Sequence, residues 1–146
     1  FGQTWRFEAI RTGLLGLEGP QLSAVAVGSG KGRSVWVGSR RNGIYRRSVD
    51  GSVWKYVGFR GREVQSIVAD QQFGAAAYAA VTDTKGTVDL VRTSDGGKTW
   101  KPIAGLPANA LGFSSQATNN ALFAWSARRV YRSTNGTTWK ALPPLP

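Results

Sequence analysis

The chain contains no cysteine, no histidine and no methionine in 146 residues. Without cysteine it has neither a disulfide framework nor a thiolate metal site, and without histidine it lacks the commonest general base and metal ligand. Neither a metal nor a cofactor is expected. No apolar run approaches the ~20 residues needed to span a bilayer, and nothing at the start resembles a signal peptide. No segment carries a convincing helical period. Acidic side chains are scarce, 8 against 19 lysines and arginines, and the net charge of +11 calls for an anionic partner or surface. The first residue is Phe1 and not Met, which suggests that a preceding sequence has been removed.

What is present is apolar and repetitive. Hydrophobic residues make up 41% of the chain and include six Trp, six Phe and four Tyr, enough for one globular core. Four of the tryptophans close copies of one short phrase. It is clearest in Thr93-Ser94-Asp95-Gly96-Gly97-Lys98-Thr99-Trp100, and it recurs over Ser48–Trp54 and Ser133–Trp139, with a clipped copy at Gly2–Trp5. The tryptophans are 49, 46 and 39 residues apart, the period of a repeated supersecondary unit.

A β-rich run precedes each full phrase, at residues 43–47, 88–92 and 129–132, and another follows it. Asp-Gly or Asn-Gly between two such runs signals a tight strand-turn-strand corner, because Gly accepts positive φ and the Asx side chain bonds to nearby amides. Two further runs precede each corner, at 22–27 and 34–38, 64–69 and 75–82, and 110–114 and 121–126. Four short strands per unit of 40 to 50 residues predict an all-β fold, a β-propeller of four-stranded antiparallel blades. The chain reads as one segment, 1–146, with an outer strand over 1–10 and three blades over about 20–59, 60–106 and 107–142.

The pattern Ser/Thr-x-Asp-x-Gly-x-Thr-Trp resembles the Asp-box, or BNR repeat, of sialidases, sortilin-type receptors and photosystem II stability and assembly factors. Residues 93–100 match it fully; the copies at 48–54 and 133–139 are each one residue short, and Asn135 replaces the aspartate. The resemblance implies that the box is a structural turn between the third and fourth strands at the blade periphery. Ser48, Asp50, Trp54, Thr93, Asp95, Gly97, Thr99, Trp100, Ser133, Asn135 and Trp139 are then turn and packing residues, with a catalytic or calcium role as the alternative. Trp36 and Trp125, in second strands, are expected in the core.

Three blades do not close a ring of the usual four to eight. Either the sequence is a piece of a longer polypeptide, which its start inside a box and its stop before a next blade favour, or copies assemble into a ring, for example two into a six-bladed one.

In a propeller the second-to-third turns and the blade-to-blade connections share one face, opposite the boxes. The turns carry Arg40, Arg41, Lys85, Arg128 and Arg129, and the connections carry Arg11, Arg60 and Arg62, against the acids Glu8, Glu18, Glu63 and Asp83. Arginines concentrated in this way suit bidentate binding of carboxylates or phosphates; a charged surface that only confers solubility is the alternative. Arg47, Arg92 and Arg132 each stand three residues before the box Asp or Asn, where a local role such as covering a Trp face is expected.

Sialidase chemistry, as the resemblance implies it, needs an arginine triad, a Tyr-Glu nucleophile pair and an acid Asp. The chain has eight acids with two committed to boxes, Tyr45, Tyr56, Tyr78 and Tyr131 are available, and the Phe-Arg-Ile-Pro phrase of that family is absent. An ordinary glycosidase needs two flanking carboxylates, and catalysis by this chain alone is not expected. The expected function is a non-enzymatic binding or assembly scaffold of the photosystem assembly-factor type, holding an acidic protein through the arginine face. The alternative is a sialidase-like or glycan-binding propeller; nucleic acid is disfavoured because the tryptophans are accounted for by blades and no nucleic-acid motif is present. The resemblance and the absent Cys and Met favour a place outside the cytoplasm: periplasm, thylakoid lumen or secreted.

Overall fold

The computed structural model describes residues 21–107, 110–116 and 121–144. The outer strand expected over 1–10, with Trp5, and the predicted basic residue Arg11 lie outside them. The described residues form twelve strands and no helix. They are β1 (Leu22–Val27), β2 (Ser34–Ser39), β3 (Ile44–Ser48), β4 (Lys55–Gly58), β5 (Glu63–Ala69), β6 (Ala77–Thr82), β7 (Val88–Thr93), β8 (Lys101–Pro102), β9 (Ala110–Gln116), β10 (Ala121–Ser126), β11 (Val130–Ser133) and β12 (Lys140–Ala141). Each run of four makes one antiparallel up-and-down sheet, β1–β4, β5–β8 and β9–β12. The first strands β1, β5 and β9 lie side by side, as the innermost strands of successive blades do.

Two apolar layers hold the blades together. Between the first and second sheets lie Trp36, Ile44, Val64, Ile67, Ala77, Ala79 and Val81; between the second and third lie Val68, Tyr78, Ala80, Phe113, Leu122 and Ala124. Strand alternation explains the division, since Ala77, Ala79 and Val81 point to one side of β6 and Tyr78 and Ala80 to the other. The small residues let the sheets approach closely. A Cβ on Gly38 would come within 2.6 Å of the Cβ of fully buried Val64.

The first-sheet counterpart of Tyr78 is Trp36. Both stand one residue past the hairpin pairs Val27–Val35 and Ala69–Ala77, and an arginine on the third strand lies over each ring, Arg46 at 5.2 Å and Arg92 at 5.5 Å. The sequence series of Arg47, Arg92 and Arg132 is therefore offset by one in the first sheet, where Arg46 takes the ring-covering place and Arg47 stacks on Trp54.

Trp125 departs from expectation. It is 37% exposed and not a core residue. It pairs with Gly112 and Val130, at the register position of Gly38 and Ala80, on the side of the third sheet that faces away from the second. No described sheet covers that side. The other end of the array is open too, with Leu22, Val25 and Val27 of β1 more than half exposed.

Candidate binding face

Up-and-down connectivity puts the turns on two opposite rims. One rim carries the third-to-fourth turns with the boxes. Thr93 Oγ1 donates to Asp95 Oδ1 at 2.8 Å and accepts from Gly97 N; the Asp95 carboxylate accepts from Thr99 N and from Thr99 Oγ1 at 2.6 Å. These donors, the Thr99 hydroxyl foremost, hold the Asp95 carboxyl far below the usual aspartate range. In the third sheet Asn135 Oδ1 takes the same place, accepting from Ser133 Oγ, Thr137 N and Thr138 N. The first phrase is built differently. Gly51 N bonds to the Ser48 carbonyl, and Asp50 accepts no hydrogen bond among the described residues.

Each full box reaches back to the preceding blade. Trp100 Nε1 donates to Val57 O at 2.9 Å while its ring meets Trp36 and Phe59 edge-on; Trp139 packs on Phe113 of its own blade and, with Ile103 and Leu106 of the second, borders the apolar layer between the two. The box glycines Gly96 and Gly136 have φ of +79° and +69°, and a Cβ there would strike the Arg46 guanidinium or the Tyr78 ring respectively. They are glycine for both reasons. In the second and third sheets the Asx and Ser/Thr groups of the phrase are thus engaged within their own turns.

The opposite rim holds the residues singled out for binding. Arg40 and Arg41 stand exposed in the β2–β3 turn, Lys85 in the β6–β7 turn, and Arg128 and Arg129 in the β10–β11 turn. Arg60 lies exposed in the β4–β5 connection, its guanidinium over Tyr56 at 5.1 Å and its N–H donated to the Tyr56 hydroxyl. Gly61 N donates to Arg41 O, so the turn and the connection form one platform for Arg40, Arg41 and Arg60. Phe59, which leads into it, has φ +66°, a left-handed conformation unusual for a bulky residue. Its ring is fixed by Trp100 and by Arg62.

Arg62 differs from the others. Its Nη2 pairs with Asp89 at 2.7 Å and reaches Val81 O, so it joins the first two blades and is not a free ligand group. That pairing joins a connection to a strand of the next blade and has no signature in the sequence. Sequence reasoning also passed over Lys31 and Arg33, exposed in the β1–β2 turn on the box rim, although Lys31-Gly32-Arg33 is legible as a basic turn.

Carboxylates on the arginine rim are few. Glu63 opens β5, Asp83 caps its turn through the Lys85 and Thr87 amides, and Asp89 is paired with Arg62. No group of three or more acidic residues that could hold a metal occurs among the described residues. A pocket on the box rim brings Asp70, Tyr78, Arg92 and Asn135 together. Burial pushes the Tyr78 hydroxyl up, with Arg92 opposing and Asp70 adding to the shift, so this tyrosine is a neutral hydrogen-bonding group.

Stacked four-stranded antiparallel sheets with adjacent inner strands define the class as a β-propeller. YCF48 from Cyanidioschyzon merolae superposes with a TM-score of 0.58 at 17% identity, over 84% of this chain and 39% of that one. A GH74 xyloglucanase from Xanthomonas campestris gives 0.54 at 21% identity, over 77% of this chain and 21% of its own. The GH74 enzyme of Niastella koreensis gives 0.51 at 19% identity, over 74% and 19%. The chain spans about two fifths or less of the length of each. No family model matches the chain, and no curated protein matches it.

Proposed function

We propose that the chain is a non-enzymatic scaffold segment that binds an acidic protein through its arginine rim. The observation that carries this reading is the joined platform, where the Gly61–Arg41 backbone bond and the left-handed Phe59 present Arg40, Arg41 and Arg60 side by side. Backbone strain of this kind costs about 1–3 kcal/mol and clusters at functional positions. Lys85, Arg128 and Arg129 extend the basic surface along the same rim. The Asp-box resemblance to photosystem assembly factors agrees with an assembly role, and a place outside the cytoplasm is part of the proposal.

Under this reading the remaining blades of the ring come from a longer chain or from a second copy, covering the open sides at β1 and at Trp125. Sedimentation velocity separates the two: a monomer at micromolar concentration excludes the self-assembled ring.

The binding test is a titration with a fluorescent glutamate-rich peptide. Wild type binds with an affinity that falls steeply with salt, and Arg40→Glu/Arg41→Glu weakens it by about tenfold or more, each charge pair of this kind being worth ~1 kcal/mol or above. Unchanged binding by the variant rejects the arginine platform.

A second reading is a glycan-binding or sialidase-like propeller, favoured by the likeness to two glycoside hydrolases. Turnover of a fluorogenic sialoside or binding of a neutral oligosaccharide, insensitive to salt, would establish it in place of the first.

A further inference from the structure

On the rim opposite the platform, a pair of like charges recurs in every described sheet. Arg46 is directly across from Lys55, Arg92 from Lys101 and Arg132 from Lys140, each pair joining the third and fourth strands. Like charges at facing positions destabilise a sheet. A lysine on an edge strand guards against edge-to-edge pairing, but that role does not require it opposite an arginine. None of the six forms an ion pair with a described carboxylate.

Two of the pairs line matching grooves. The first groove, about 330 Å³, runs between Arg46, Lys55 and Val57 of one blade and Gly96 of the next box. The second, about 470 Å³, runs between Arg92, Lys101 and Ile103 and the next box glycine, Gly136. Arg46 and Arg92 each rest one face on a buried ring, which holds the guanidinium in place before any ligand arrives. Arg92 Nε is buried without a hydrogen-bond partner. Asp95 also borders the second groove, but its oxygens are occupied by the Thr93 and Thr99 donors.

We infer that these grooves form a repeating site for a linear anionic polysaccharide, its carboxylate or sulfate groups taken by successive Arg–Lys pairs around the blade periphery. Two grooves that each set an Arg–Lys pair against the glycine of the next sheet's turn fit a polymer whose charges repeat. A peptide adding as a strand is disfavoured because Pro102 in β8 has no N–H to offer. A single-stranded nucleic acid is disfavoured because no Phe, Tyr or Trp lines either groove for its bases to stack on.

The test uses labelled polygalacturonate and dextran sulfate, with poly-glutamate and a single-stranded oligonucleotide as comparators. Lys55, Lys101 and Lys140 are all exposed, so Lys55→Glu/Lys101→Glu/Lys140→Glu is expected to keep its far-UV spectrum and melting temperature. It should lose about tenfold or more in polysaccharide affinity and show a shallower salt dependence, because fewer counterions are displaced. The corresponding Lys→Arg triple variant should retain binding, and Arg40→Glu/Arg41→Glu, on the other rim, should leave it within about twofold. Failure of the platform proposal therefore does not affect this result. Absent polysaccharide binding by wild type, equal binding by the Glu variant, or tighter binding of poly-glutamate or oligonucleotide through the same lysines overturns the inference.

Discussion

Truncation of Trp100 tests whether a box tryptophan locks its blade to the preceding one. Its indole N–H donates to Val57 O across the blade boundary, and its ring packs edge-on against Trp36 at 6.0 Å and Phe59 at 5.4 Å. The hydrogen bond contributes about 1 kcal/mol, each aromatic contact ~0.5–1.5 kcal/mol, and removal of a packed Trp side chain costs about 3–5 kcal/mol in all. Trp100 is only partly buried, so Trp100→Ala should cost ~3 kcal/mol, at the low end of that range. Trp100→Phe keeps most of the packing and should cost ~1–2 kcal/mol, chiefly from the unpaired Val57 carbonyl. Trp125→Ala is the control, since that ring is 37% exposed and makes no hydrogen bond among the described residues, and ~1 kcal/mol is expected. Urea unfolding followed by far-UV circular dichroism reads all three without relying on tryptophan emission. A Trp100→Ala cost under ~1 kcal/mol, or equal costs for Trp100 and Trp125, would refute the locking role.

Three further outcomes follow from the same packing. Gly38→Ala should destabilise by about 1–3 kcal/mol in the same urea assay, because the new methyl meets the branched carbons of buried Val64. The depressed Asp95 carboxyl stabilises the fold above the ordinary aspartate pKa of ~3.9, and that contribution is lost as pH falls towards its folded value. The urea midpoint of wild type should therefore drop more between pH 6 and pH 3, roughly the span around that ordinary pKa, than the midpoint of Asp95→Asn; parallel curves would contradict the turn's charge dependence. Arg62→Ala should lower stability by breaking the Arg62–Asp89 bridge between blades, whereas Arg60→Ala should be within about 0.5 kcal/mol of wild type in thermal unfolding.

The strands were largely legible in the sequence because their signals are local. Alternating β-rich runs and Asx-Gly corners placed β1, β10 and most of the others within two residues of their observed ends. What escaped depends on register. In the first sheet the third strand enters the turn offset by one, so Arg46 and not Arg47 covers the second-strand ring, although Arg47 stands as far before its Asx as Arg92 and Arg132 do. Trp125 reads like Trp36 in sequence, yet it stands where the first two sheets carry Gly38 and Ala80 and finds no described sheet across from it. Pairings across blades, such as Arg62 with Asp89, are set by the stacking of sheets and are invisible to a linear reading. The Arg–Lys pairs belong to the same category, since each becomes a pair only when the third and fourth strands are aligned.

The central claim, that the arginine rim and not the box rim takes an acidic protein, is tested most directly by hydrogen exchange of the chain with and without a glutamate-rich peptide. Protection confined to residues 39–43, 59–62, 83–87 and 126–129, with the box turns at 48–54 and 93–100 unchanged, is the predicted footprint. Protection of the box turns with none at the Arg40–Arg41 platform would contradict it.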